Sequence, residues 1–199
     1  SLTQSTEDAY SWREPVANAR IIFEPMSEKR VIQIPLPGRA YNLVIGDCSL
    51  ADGDCPELRP FVDGRSCLIV TDNNVDTQYS ATTVGLLEEA GASRVAVSVF
   101  EAGEAAKNLT TLASLYSAAV AARLDRKSVI VALGGGVVGD TAGFLAASYM
   151  RGIDLVQVPT SLVAQVDSSI GGKTGVDLPE GKNLVGAFHQ PRHVLIDVA

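Results

Sequence analysis

The chain has 199 residues, 46% of them hydrophobic and 20% charged, with a formal net charge of −7 at pH 7. That length and apolar content suit one large domain with a substantial core. The acidic balance argues against nonspecific nucleic-acid binding, which needs a basic surface, and no uninterrupted apolar run approaches the roughly 18 residues of a membrane span.

Residues 1–13 are polar and acidic, without the basic-then-apolar order of a secretory signal. The stretch 1–28 reads as a polar tail ahead of a domain over 29–199. Strand patterns at 31–36 and 41–45 flank Pro37-Gly38 and read as an antiparallel hairpin. Cys48, Cys55 and Cys67 are odd in number and lack metal-ligand spacing. They read as reduced thiols of a cytoplasmic protein, with a loop pairing of Cys48 and Cys55 as the alternative.

Further strand patterns fall at 66–71, 94–100, 128–133, 154–158 and 193–198. Between them a helical pattern over 74–90 stops at Gly91, the usual C-terminal signal. Another over 109–124 places Leu112, Leu115, Tyr116, Ala119 and Val120 at helical spacing. Strands alternating with helices imply βαβ units and a mostly parallel sheet covered on both faces. In such sheets ligands bind beyond the carboxyl ends of the strands, so the strand ends carry the functional reading.

The strand at 66–71 is followed by Asp72-Asn73-Asn74. A carboxylate there accepts hydrogen bonds from a ribose diol, or it caps the helix that follows. The strand at 94–100 leads to Glu104 and Lys107, three residues apart and expected to form a solvated ion pair on a first helical turn. The buried strand at 128–133 runs into Gly134-Gly-Gly-Val-Val-Gly-Asp140 and a helix of small residues. Glycine lets the backbone approach an anion, and the first N–H groups of the helix point at it. Gly134, Gly136 and Gly139 match the dinucleotide fingerprint in its strand–turn–helix context, with a plain tight strand–helix turn as the alternative. The acid that should close the next strand is absent, because that strand ends in Pro159-Thr160-Ser161. Asp72 is the candidate to supply it, while Thr160 and Ser161 cap a helix, contact a ligand, or do both. The expected fold is α/β: a Rossmann-like, mostly parallel sheet flanked by helices, with an N-terminal antiparallel hairpin.

Gly171-Gly172-Lys173-Thr174 invites comparison with a P-loop, but the position that needs the first glycine is Asp167, which repels phosphate. The better reading is a polar loop whose Asp167, Lys173, Lys182 and Asn183 converge on a hydroxylated, anionic small molecule; a solvated glycine-rich surface turn is the plainer alternative. His189 and His193 have the spacing of two ligands on a helix face, but Pro191 lies between them. His189 therefore reads as a local hydrogen-bonding group, and a complete metal site within the chain is not expected.

From residue 132 onward the sequence resembles 3-dehydroquinate synthases. The matching segments are Ala132-Leu-Gly-Gly-Gly-Val-Val-Gly-Asp140, Tyr149-Met-Arg-Gly152, Val158-Pro-Thr-Ser161, Asp167-Ser-Ser-Ile-Gly-Gly-Lys-Thr174 and Gly181-Lys-Asn-Leu-Val-Gly-Ala-Phe-His-Gln-Pro191. Looser agreement reaches back through Lys107 and Glu104 to Thr71-Asp72. The resemblance implies an NAD-dependent lyase that converts 3-deoxy-D-arabino-heptulosonate 7-phosphate to 3-dehydroquinate and phosphate in the shikimate pathway. It assigns Gly135, Gly136 and Asp140 to the pyrophosphate loop, Asp72, Glu104 and Lys107 to the adenosine side, and Asn74 to the cofactor site. Thr160, Ser161, Lys182 and Asn183 fall to the nicotinamide half, and Asp167 and Lys173 to the substrate. Arg151 is implied to reach the substrate phosphate of a neighbouring subunit in a homodimer. The family's zinc or cobalt ligands, a glutamate and two histidines, belong to a helical domain that follows the position of Ala199. The chain alone is thus expected to be inactive. The alternatives are another NAD-dependent sugar-phosphate cyclase and a stand-alone nucleotide-binding module.

Overall fold

The computed structural model describes residues 29–46 and 55–198; the expected tail and Cys48 lie outside the described residues. All seven expected strands join one sheet: β1 (Arg30–Ile34), β2 (Tyr41–Gly46), β3 (Ser66–Asp72), β4 (Arg94–Phe100), β5 (Val129–Gly134), β6 (Asp154–Pro159) and β9 (His193–Asp197). Their order across the sheet is β1-β2-β9-β6-β5-β3-β4. β1 pairs antiparallel with β2, as its Pro-Gly connection implies, and every other pair in this sheet is parallel.

The apolar sequence explains the layers. Successive residues of a strand face opposite ways, so in β3 Cys67 and Ile69 join one core while Leu68 and Val70 join the other. The first core includes Val62 of the short helix α1 (Arg59–Val62) and Leu86 and Leu87 of α3 (Ala81–Glu89). The second takes Leu112 and Leu115 of α4 (Leu109–Ala121) and Val138, Ala142 and Leu145 of α5 (Gly136–Ser148). Each such buried side chain contributes roughly 1.5–3 kcal/mol relative to leaving it in water. The helix expected at 74–90 is a short α2 (Asn73–Val75), a π-helical segment (Asp76–Ser80) and α3 in continuous sequence.

The expectation of a polar loop around Lys173 and Lys182 is corrected. β7 (Lys173–Leu178) and β8 (Gly181–Phe188) form an antiparallel hairpin outside the main sheet, preceded by a π-helical turn, Ala164–Ser168. The glycines here serve close strand contact rather than loop freedom. A Cβ at Gly175 would stand 2.6 Å from the Val185 carbonyl oxygen, and one at Gly186 would collide with that of Thr174. Val176 and Val185 join the core that includes α5, and a Cβ on Gly143 of α5 would collide with the Thr174 methyl group.

Candidate functional site

The chain passes from β3 to the edge strand β4 and returns to β5 on the other side of β3. The carboxyl ends of β3 and β5 therefore border a switch point, where the connections diverge and leave a crevice. In register, Thr71 lies beside Leu133, Asp72 beside Phe100 and Gly134 beside Pro159. Asp72, Gly134 and Thr160 thus share one sheet edge although the first and last are 88 positions apart in sequence.

The glycine turn is set by sterics. A Cβ on Gly134 would stand 2.6 Å from a Val138 methyl carbon, so the helix can start this close to the strand only without a side chain. Gly135 is the N-cap of α5 and offers no side-chain cap. The first N–H groups of the helix lack intrahelical acceptors, and the ladder begins with Gly139 N–H to the Gly135 carbonyl at 2.9 Å. A Cβ at Gly135 would face Ser161 Oγ at 3.4 Å, and one at Gly136 would face Ser168 Oγ at 3.1 Å. Ser168 Oγ is buried with no hydrogen-bond partner. Free main-chain donors and an orphaned hydroxyl beside two side-chain-free positions fit a diphosphate.

Asp72 is a cap: its Oδ1 accepts the Asn74 and Val75 N–H groups at 2.9 and 3.0 Å. Asn74 also engages its carbonyl with Gln78. Ser161 likewise accepts the Ala164 N–H at 3.4 Å, while the Thr160 N–H donates to the Gly134 carbonyl at 3.0 Å.

The expected Glu104–Lys107 ion pair is corrected. These residues sit on a 3-10 turn, Glu104–Ala106, and its C-cap. Lys107 turns inward, 4% exposed, and its ammonium meets Asp140 Oδ2 at 2.5 Å and Asn183 Oδ1 at 2.6 Å. Glu104 instead pairs with Lys182 at 2.8 Å, near the surface. Burial pushes the Asp140 carboxyl above its ordinary value, against the opposing pull of Lys107. The Glu104 carboxylate holds the Lys182 ammonium above its own.

A cavity of about 620 Å³ gathers Asp140, Asp167, Ser168, Lys173 and Asn183. The predicted residues otherwise disperse: Glu104 and Lys107 line a separate cavity of about 330 Å³ with Asp177, and Thr160 lines one of about 320 Å³. Lys182 does not converge with Asp167 and Lys173; its ammonium is committed to Glu104. Arg151 lies past the far end of α5 from the glycine turn, about 20 Å away at 1.5 Å per helical residue. His189 is a local hydrogen-bonding group, its Nε2 2.8 Å from the Ile153 carbonyl oxygen. Ser168 and Asp177 escaped the sequence reading as site residues. For Asp177 the signal was present, since Pro179-Glu180-Gly181 is a turn between two strand-length runs.

A comparison of sequences adds the family to this geometry. The profile of the 3-dehydroquinate synthase N-terminal family matches residues 97–199, just over half of the chain. The chain belongs to this family. It is 57% identical over 158 residues to a 3-dehydroquinate synthase of Symbiobacterium thermophilum, covering 79% of this chain and 44% of that protein. A Microcystis aeruginosa 3-dehydroquinate synthase is 48% identical over 83% of this chain and 45% of its own length. The chain thus spans under half the length of these relatives. Among solved structures, 2-deoxy-scyllo-inosose synthase complexed with carbaglucose-6-phosphate, NAD+ and Co2+ superposes with a TM-score of 0.74 at 32% identity, covering 84% of this chain and 45% of that one. The 2-epi-5-epi-valiolone synthase of Streptomyces hygroscopicus, with NAD+ and Zn2+, gives 0.71 at 31%, covering 84% and 45%. The mostly parallel sheet with its flanking helices is Rossmann-like, as in these neighbours. No helix among the described residues is long and apolar enough to cross a membrane.

Proposed function

We propose that residues 29–199 are the NAD-binding domain of a 3-dehydroquinate synthase, which converts 3-deoxy-D-arabino-heptulosonate 7-phosphate to 3-dehydroquinate and phosphate in aromatic biosynthesis in the cytoplasm. The observation that carries this reading is the side-chain-free N-terminus of α5 at the switch point, with Ser168 Oγ unpartnered beside it. The 57% identity to a 3-dehydroquinate synthase, against 31–32% to the inosose and valiolone synthases, favours this substrate over those of the other cyclases.

When bound, NAD supplies a reversible hydride acceptor for a substrate carbinol. The chain's own residues bind and orient. Main-chain N–H groups at Gly135 and Gly136 take the diphosphate, with Asp140 closing the loop. Asp72 and Asn74 at the end of β3, with Glu104 and Lys107, form the adenosine side, where the Asp72 oxygen left over from capping accepts from a ribose hydroxyl. Thr160, Ser161, Lys182 and Asn183 flank the nicotinamide half. Asp167 and Lys173 face the sugar-phosphate acid across the large cavity, Lys173 against an anionic oxygen and Asp167 against hydroxyls. A zinc or cobalt ion held by a helical domain after residue 199 completes the enzyme. Arg151 serves a homodimer: its distance from its own glycine turn, and successive left-handed φ values at Met150 (49°), Arg151 (71°) and Gly152 (115°), support a side chain held outward for a neighbour.

Calorimetric titration of NAD into the 199-residue chain tests the cofactor site. Asp72→Ala and Gly136→Val should each weaken binding by about tenfold, the worth of one or two lost hydrogen bonds. Unchanged affinity in both variants would remove the cofactor from this edge.

A further inference from the structure

The β7–β8 ladder contains an irregularity. Val176 pairs with Val185 and Leu178 with Gly181, so the single residue Asp177 stands opposite Lys182, Asn183 and Leu184. The register shift lies between Val176 and Leu178, and Asn183 there adopts φ 55°, in the left-handed region. Bulges next to binding sites re-aim a side chain at the cost of ladder hydrogen bonds. Here Asp177 supplies the missing partner: its Oδ1 accepts the Asn183 N–H at 2.7 Å. Asp177 is itself tied to the 104–108 segment, its N–H donating to the Lys107 carbonyl at 2.8 Å, with an isolated parallel bridge to Asn108.

The Asn183 amide can face Lys107 in only one way. An ammonium donates and cannot accept, so the group 2.6 Å from Lys107 Nζ is Oδ1 and the NH2 turns away from it. Asn183 lines the large cavity. We propose that Asp177 is a positioning residue, pinning the β8 bulge so that the Asn183 NH2 stands as a fixed donor to a hydroxyl or carbonyl oxygen of the ligand in that cavity. Asp177 holds the backbone of Asn183 and Lys107 holds its amide oxygen, so the NH2 group is left as the donor, pre-oriented.

The inference rests on the cofactor reading only for its ligand, so two measurements separate them. In nuclear magnetic resonance spectra of the 199-residue chain, the Asn183 side-chain NH2 pair is assigned by its loss in Asn183→Ala. Asp177→Ala should move that pair toward the position of a free asparagine, whereas Asp177→Asn, which keeps an accepting oxygen, should preserve it. By calorimetry, Asp177→Ala and Asn183→Ala should each weaken NAD binding about tenfold, and the double variant by no more than either alone, as for residues acting as one unit. Asp177→Asn should stay within about threefold of the parent. An NH2 pair unmoved by Asp177→Ala overturns the proposal, as does a multiplied loss in the double variant. If the parent chain takes up no NAD, the cofactor reading fails and the NH2 pair alone decides the positioning role. If Asp177→Ala loses the cross-strand contacts of the hairpin altogether, Asp177→Asn decides: a free-asparagine NH2 signal in that variant defeats the proposal.

Discussion

Helix α5 carries two flanks, the central sheet and the β7–β8 hairpin, and they hold their positions by different physics. Along β5 every residue is buried, and its order comes from apolar contact on both faces. The hairpin buries Val176 and half-buries Val185, but leaves Leu184 and Phe188 60% and 76% exposed. Its free end is fixed by polar pins: Lys107 to Asp140 and Asn183, Asp177 to Asn183, and Glu104 to Lys182. Apolar burial is nondirectional and sums over many contacts, whereas a polar pin is short, directional and lost with one atom. The sheet should therefore fail through volume changes and the hairpin through single functional groups.

The largest expected effect breaks the sheet flank. Gly134→Val puts a branched side chain where even a Cβ would stand 2.6 Å from Val138. Overpacking of a closed core costs about 3 kcal/mol or somewhat more, which urea denaturation reads directly. A variant as stable as the parent would mean that the turn is not sterically set.

The next effect uses the sheet's one buried histidine on β9. His193 is 2% exposed, stacks on Phe61 with ring centroids 4.9 Å apart, and has neither ring nitrogen hydrogen-bonded. Burial pushes its pKa down from 6.5 to about 4. With the folded value depressed, the unfolded chain binds the extra proton, so stability present above pH 6.5 is lost as pH falls toward 4. The loss approaches about 3 kcal/mol at most, at 1.36 kcal/mol per unit of pKa. His193→Leu should remove that acid sensitivity without weakening the fold at neutral pH, because no hydrogen bond is broken. An unchanged acid transition in His193→Leu would assign the sensitivity to other groups.

On the hairpin flank, Lys107→Met keeps the unbranched apolar stem of the side chain and removes its ammonium. It strands the half-buried Asp140 carboxylate and the Asn183 amide oxygen, at a cost of about 2 kcal/mol. Burial already raises Asp140, so without Lys107 the deficit should grow as pH rises from the ordinary carboxylate value through the raised one, and vanish below the ordinary value, where the carboxyl is neutral in both states. Hydrogen exchange should show the opening confined to β7 and β8 rather than to β5. Equal exposure of both flanks would make them one cooperative unit.

The same contrast explains how much of the molecule was legible. The inner strands β3, β5, β6 and β9 announce themselves because a doubly covered strand is a run of apolar residues with turn signals at its ends, and β1 and β2 show through the Pro37-Gly38 turn between them. The glycine turn was legible too, since its chemistry is the absence of side chains. The hairpin was not: Lys173-Thr-Gly-Val-Asp-Leu178 and Gly181-Lys-Asn-Leu-Val-Gly-Ala-Phe188 carry glycines that read as loop, and their strand role depends on backbone contact with a partner strand. The pairing of Lys107 with Asp140 rather than Glu104 was likewise invisible. Helical spacing favours the near neighbour, but the chain turns at Gly103, φ 107°, into a 3-10 turn that sends Lys107 inward.

The smallest effect sharpens the comparison between two lysines that reach the same corner. Lys182 lies one residue before Asn183, and its side chain is 69% exposed where it meets Glu104, against 5% for Lys107. In water the Coulomb gain of such a pair is nearly offset by the entropy of holding two long side chains together. Lys182→Ala should leave the melting temperature unchanged, and added salt should alter the parent and the variant equally. Any cost of the substitution should fall on NAD affinity alone, because the ammonium is freed from Glu104 more easily than Lys107 is from Asp140. A drop in melting temperature comparable to that of Lys107→Met would show that exposure does not separate the two pins, and the hairpin would then be held by charge at its surface as much as beneath it.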